Sequence, residues 1–142
     1  MSDSQDKQHA GASTGRRGED VATRYLVKQG CTILARNWRA NPGEVDIIVR
    51  CPSLDPNKPE DQELAFVEVR TRHGRSGLAE ESISPHKASS VASAAYSYLA
   101  AHELDPDKTL WRIDLIAIAM HGSTVTSINW IKSAISEDML DV

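Results

Sequence analysis

Apolar residues recur at helical spacing between Arg16 and Gln29, where Val21, Ala22, Tyr25 and Leu26 share one stripe and Gly30 supplies a C-terminal stop. Residues 1–15 are polar and carry no such stripe, which predicts a disordered tail. The period then changes to two. Runs at Cys31–Asn37 and Glu44–Arg50 flank Asn41-Pro42-Gly43, a strong turn signal. Residues 52–63, PSLDPNKPEDQE, read as a long hairpin loop, and Leu64–Arg72 as a third strand rich in β-branched residues.

Ser84-Pro85 provides an N-cap and a proline at the first helical position, opening an Ala- and Ser-rich helix that runs to about His102. Asp105-Pro106-Asp107 closes that region. Leu110–Met120 and Thr124–Trp130 read as fourth and fifth strands joined by a turn at His121-Gly122-Ser123. The order is α-β-β-β-α-β-β without internal repeat, an α/β chain with a mixed sheet flanked by helices. It forms one domain over residues 16–131, followed by an acidic C-terminal tail, 132–142.

At 142 residues the chain has the length of one domain. Its net charge of −4 excludes a protein that coats nucleic acid by bulk charge. The distribution is more telling: residues 1–15 carry −1, 52–63 carry −3 and 131–142 carry −2, leaving +2 on the body. Any nucleic-acid contact is therefore local. The chain has no long apolar run for a membrane span and no apolar core of a signal peptide, so a cytoplasmic location away from membranes is expected. Cys31 and Cys51 lack the spacing of a metal knuckle and are expected to be reduced and structural.

Strand alternation places Glu44, Asp46 and Ile48 on one face of the second strand and Phe66, Glu68, Arg70 and Arg72 on one face of the third. Carboxylates embedded among apolar residues must be paired, hydrogen-bonded or metal-bound. If the two strands pair with these faces aligned, Asp46 and Glu68 converge. Two hard oxygen ligands suit Mg2+ or Mn2+ when waters and a phosphate complete the shell. Such an ion acidifies a bound water and offsets charge on a phosphodiester oxygen. Arg70 would face the same phosphate. Glu19 falls near the apolar stripe of the first helix, and Lys87 lies on the stripe of the second. Lys87 also sits in a first turn, where the helix dipole disfavours a cation, so a nearby anion is expected.

The ordered set Gly15, Gly18, Glu19, Ala22, Tyr25 and Leu26, then R-N-W-R from Arg36 to Arg39, G-E-V-D-I-I from Gly43, F-V-E-V-R-T-R from Phe66, Lys87 and R-I-D-L-I-A-I from Arg112 resembles the YraN-type bacterial family. That family is similar to archaeal Holliday junction resolvases and to the restriction-endonuclease-like PD-(D/E)xK superfamily. The resemblance implies a restriction-endonuclease-like fold, with Asp46 and Glu68 as metal ligands and Glu19 as a helix carboxylate. It places Arg70 where the superfamily has lysine. Arginine keeps the charge and can clamp a phosphate, but it cannot take up a proton near neutral pH. Lys87 is the candidate to replace that function. The resemblance also makes a homodimer plausible.

Arg72, His73 and Arg75 border a Gly-rich connection and are candidates to track a nucleic-acid backbone, with a solvated loop as the alternative. Trp38, set between Arg36, Asn37 and Arg39, could stack a base or pack in the core. Asp114, two residues from Arg112, reads as a structural pair. His73 and His86 lack zinc-site spacing. The leading expectation is a Mg2+- or Mn2+-dependent endonuclease acting on DNA, including branched DNA, with Glu19, Asp46, Glu68, Arg70 and Lys87 as its catalytic set. The alternatives are a nuclease-like protein that binds nucleic acid without cutting it, and a protein-interaction adaptor recruiting partners through the acidic loop.

Overall fold

The computed structural model describes residues 10–74 and 83–135, with side chains from Arg17 onward. Helix α1 spans Ala10–Lys28, followed by strands β1 (Thr32–Arg39), β2 (Glu44–Cys51) and β3 (Glu63–His73). Helix α2 (Pro85–Ala101), β4 (Trp111–His121) and β5 (Thr124–Ile131) complete the order, which is the one the hydrophobic pattern predicts. The five strands form one sheet in sequential order β1-β2-β3-β4-β5. All neighbours are antiparallel except β3 and β4, which run parallel because α2 carries the chain back across the sheet.

Each helix covers one face. Ala22 and Leu26 of α1 pack with Ile47, Val49, Val67, Ile116 and Ile118, whereas Ala88, Val91, Ala95 and Leu99 of α2 pack with Ile48, Phe66, Ile113 and Leu115. The central strands are thus apolar on both sides, as a doubly covered sheet requires. Small residues dominate the buried side of α2, which lets the helix lie close to the sheet. Among the described residues no helix is long and apolar enough to cross a membrane.

Three expectations need correction. Helix α1 opens at Ala10 rather than Arg16, so the last six residues of the expected tail are helical. The apolar stripe marks where a helix packs, not where its backbone hydrogen bonding begins, and no proline stops it. At the other end, Ala134 N donates to Ile113 O at 2.8 Å and Ile135 is buried, so the chain beyond residue 131 still packs on the domain. Residues 1–9 and 136–142 of the expected tails lie outside the described residues.

The third concerns the cysteines, expected to be reduced. Cys31 and Cys51 are joined in a disulfide. Antiparallel pairing sets Thr32 against Arg50, so the next residues outward on each strand face one another with Cα atoms 4.3 Å apart. That is the separation of a directly opposed, non-hydrogen-bonded pair, about 4.5 Å. The juxtaposition follows from strand register, which the spacing of two cysteines in sequence does not reveal.

Candidate functional site

The site forms where β2 and β3 part. Their last paired residues are Ile47 and Val67, and Asp46 and Glu68 occupy the next register position. There the Val69 amide donates to Asp46 Oδ2 at 2.8 Å, so a side chain takes the place of a strand-to-strand backbone bond. The expected convergence of the two acids is present. Glu68 is buried, and its Oε2 has no hydrogen-bond partner in ionised form among the described residues. Burial, and then the Asp46 charge, push the Glu68 carboxyl up to about 8. Burial likewise raises Asp46, although the Val69 amide and the Lys87 charge oppose the rise.

Lys87 arrives from α2. Ser84 caps that helix, its Oγ accepting the Lys87 amide at 3.2 Å, and this fixes the first turn. The ammonium lies 3.4 Å from Glu44 Oε1 and 3.8 Å from Glu68 Oε1. These carboxylates resolve the conflict between a cation and a helix N-terminus. Partial burial lowers the Lys87 pKa, but Glu68, Glu44 and Asp46 outweigh it and hold the ammonium above its ordinary value.

Glu19 reaches the same cluster from α1, beside Asn37 and Asp46. Burial first, then the Asp46 charge, raise its pKa. Gly18 allows this approach: a Cβ there would collide with the Thr71 side chain of β3. Asn37 adopts a left-handed backbone (φ 53°) within β1, and its neighbour Arg36 pairs with Asp20 at 2.8 Å and with Glu19 at 3.7 Å.

Arg70 lies near enough for its charge to lower the Glu68 pKa. Arg39, 80% exposed, stands 3.9 Å from Glu44 Oε2, while Arg72 and His73 lie exposed at the end of β3. Arg75 lies outside the described residues. Trp38 is not brought to the site. Its ring packs edge-on against Tyr98 at 5.2 Å in the core on the α2 side, with its indole nitrogen buried. Residues 36 and 38 would share a face in a regular strand, but the left-handed backbone at Asn37 breaks the alternation of β1, so Arg36 reaches Glu19 and Asp20 of α1 while Trp38 packs on the α2 side. Glu44 is the participant to which the sequence reading gave no role, although its position two residues before Asp46 on the same strand face was the available signal.

Asp114 belongs elsewhere. It accepts from Arg112 Nε at 3.1 Å on both oxygens, from Trp130 Nε1 at 2.9 Å and from the Ser133 amide at 2.9 Å, the structural pair that was expected. A cavity of about 590 Å3 lined by Leu34, Arg50, Tyr98, His102 and Leu110 takes in neither Asp46 nor Glu68.

The donor set fits a divalent ion. Asp46 and Glu68 supply hard oxygens, and the orphaned Glu68 Oε2 calls for a proton or a cation. Among the described residues no three His, Cys, Asp or Glu side chains form a ready-made metal cage. The arrangement is an open pair of the kind Mg2+ completes with water and phosphate oxygens.

Residues 18–118 match the model of the Uncharacterised protein family UPF0102. The chain belongs to this family. It is 40% identical over 124 residues to the UPF0102 protein of Chloroflexus aurantiacus, covering 87% of this chain and 93% of that one. The UPF0102 protein of Roseiflexus castenholzii is 45% identical over 114 residues, 75% of this chain and 84% of the relative. That of Caldicellulosiruptor bescii is 39% identical over 122 residues, with 84% and 94% coverage. The span matched to the UPF0102 family contains Glu19, Glu44, Asp46, Glu68, Arg70 and Lys87.

Proposed function

We propose that this UPF0102 protein is a divalent-metal-dependent endonuclease that hydrolyses DNA phosphodiester bonds, including those of branched DNA. The observation that carries the reading is the pairing of half-buried Asp46 with buried Glu68 at the parting of β2 and β3, with the Lys87 ammonium 3.8 Å from Glu68. Asp46 and Glu68 would hold Mg2+ or Mn2+. The ion would acidify a water and offset charge on a phosphate oxygen. Lys87 offsets developing negative charge at the mouth of the site, the electrostatic role that is usually the largest contribution to such catalysis. Arg70 binds the phosphate without exchanging a proton. Glu19 adds a further carboxyl beside Asp46, deepening the negative potential that would draw the ion. Arg36, Arg39, Arg72 and His73 contact the flanking backbone, and the resemblance to dimeric junction resolvases favours a homodimer cutting two strands.

The test is cleavage of single-stranded, duplex, flap and four-way-junction DNA with Mg2+ or Mn2+. Cleavage lost in Asp46→Asn and Glu68→Gln supports the reading, and its absence on every substrate overturns it. A second reading, a protein that binds nucleic acid without cutting, is favoured by Arg70 at the superfamily lysine position. It is distinguished by salt-dependent DNA binding that survives EDTA and Asp46→Ala.

A further inference from the structure

Lys87 stands between two carboxylates of different character. Glu68 is buried, with its side chain 8% exposed, whereas Glu44 is at the rim and 48% exposed. A divalent ion on Asp46 and Glu68 neutralises the buried partner and repels the ammonium, leaving Glu44 as the carboxylate that still holds it.

The backbone fixes that partner. Gly43 adopts φ +115°, and a Cβ there would lie 2.6 Å from Ser90 O and 3.0 Å from Ala94 N. The Glu44 amide donates to Ser90 Oγ at 3.3 Å, and Ser93 Oγ donates to Pro42 O at 2.8 Å. The β1–β2 turn is therefore seated on α2, the helix that carries Lys87. Glu44, at the start of β2, is thus tied by its own backbone to the helix that carries Lys87, whereas Glu68 lies on β3. Arg39, 3.9 Å from Glu44 Oε2, sits on the opposite oxygen from Lys87 and leaves that contact intact.

We propose that Glu44 is a positioning residue: it accepts Lys87 when a divalent ion displaces the ammonium from Glu68, keeping a cation beside the ion instead of in competition with it. This inference rests on the metal-binding reading above. It goes further in making Lys87 a competitor for the ion whose strength Glu44 sets.

Mn2+ affinity of the full chain tests it, measured by titration calorimetry on wild type, Glu44→Gln, Lys87→Met and the double variant. Both positions are partly exposed, and thermal melts verify folding. Removing the competing charge in Lys87→Met should tighten Mn2+ binding about tenfold. Glu44→Gln should weaken it about threefold or more in the presence of Lys87, and the effect should shrink well below that in the Lys87→Met background. Equal effects of Glu44→Gln in both backgrounds would show that Glu44 acts only as background charge. Failure of Lys87→Met to tighten binding would show no competition. Either result overturns this proposal while leaving the metal site standing; a wild-type protein that binds no Mn2+ overturns the metal-binding reading and this proposal together.

Discussion

Asp46 accepts the Val69 amide at 2.8 Å, one step beyond the last paired residues of β2 and β3. The bond satisfies a backbone donor that strand separation would otherwise orphan, and it aims the carboxylate across at Glu68. Structure and site thus meet in one side chain. Asp46→Asn keeps an acceptor for the amide while removing a charge that burial penalises. It is expected to fold at least as stably as wild type where Asp46 is ionised, yet to lose Mn2+ binding. Asp46→Ala orphans the amide and should fall about 1–3 kcal/mol below Asp46→Asn. Urea unfolding and Mn2+ titration of both variants measure this; equal stability of the two would remove the role given to the amide bond.

Glu68 makes stability depend on pH. Its carboxyl lies at about 8 when folded, against an ordinary 4.5. Between those values the folded state holds a proton that the unfolded chain has released, so its contribution is full below 4.5 and is lost as pH rises through about 8. Glu68→Gln stays neutral and should flatten that dependence. Urea midpoints at about pH 5 and about pH 8 for both proteins supply the comparison. Parallel pH profiles would refute it.

Gly43→Ala places a side chain at φ +115° and against Ser90 O. The backbone conformation alone costs of order 1–3 kcal/mol. The turn should lift from α2, carrying Glu44 away from Lys87. A thermal melt unchanged from wild type would contradict this close seating.

Asp114, fully buried, is the hub for Arg112, Trp130 and Ser133. Asp114→Ala leaves the Arg112 guanidinium, only 4% exposed, with Glu63 at 3.5 Å as its remaining carboxylate, orphans the Trp130 and Ser133 donors, and should cost about 3 kcal/mol. The double change Asp114→Ala with Arg112→Met should recover part of the loss, since the deeply buried guanidinium is gone and only the more accessible Glu63 loses a partner. Chemical denaturation decides it, and a loss below about 1 kcal/mol in the single variant would show the network to be dispensable.

Much of this arrangement was legible in the sequence because its signals are local. The switch from helical to alternating periodicity, Ser84-Pro85 and Asn41-Pro42-Gly43 located the elements, and strand alternation put Asp46 and Glu68 each on a charged face of its own strand, to converge if those faces aligned. Lys87 announced its need for an anion through its place in a first helical turn. Alternation also puts Glu44 on the face of Asp46, but its contact with Lys87 depends on how the β1–β2 turn docks on α2, which no local pattern carries. Of the two readings open for Trp38, the structure takes core packing, because the backbone at Asn37 turns its ring to the α2 side, away from Arg36.

The sequence by itself determined the elements, their order and the residues able to carry acid and metal chemistry, since propensity, capping and periodicity act over a few residues. Only the tertiary structure decided that β2 and β3 part at Asp46 and Glu68, and that the β1–β2 turn sits on α2 so that Glu44 meets Lys87. It also set Cys31 opposite Cys51. Each of these depends on register or docking between segments far apart in the chain, where the energy comes from packing and hydrogen bonds that no local pattern encodes.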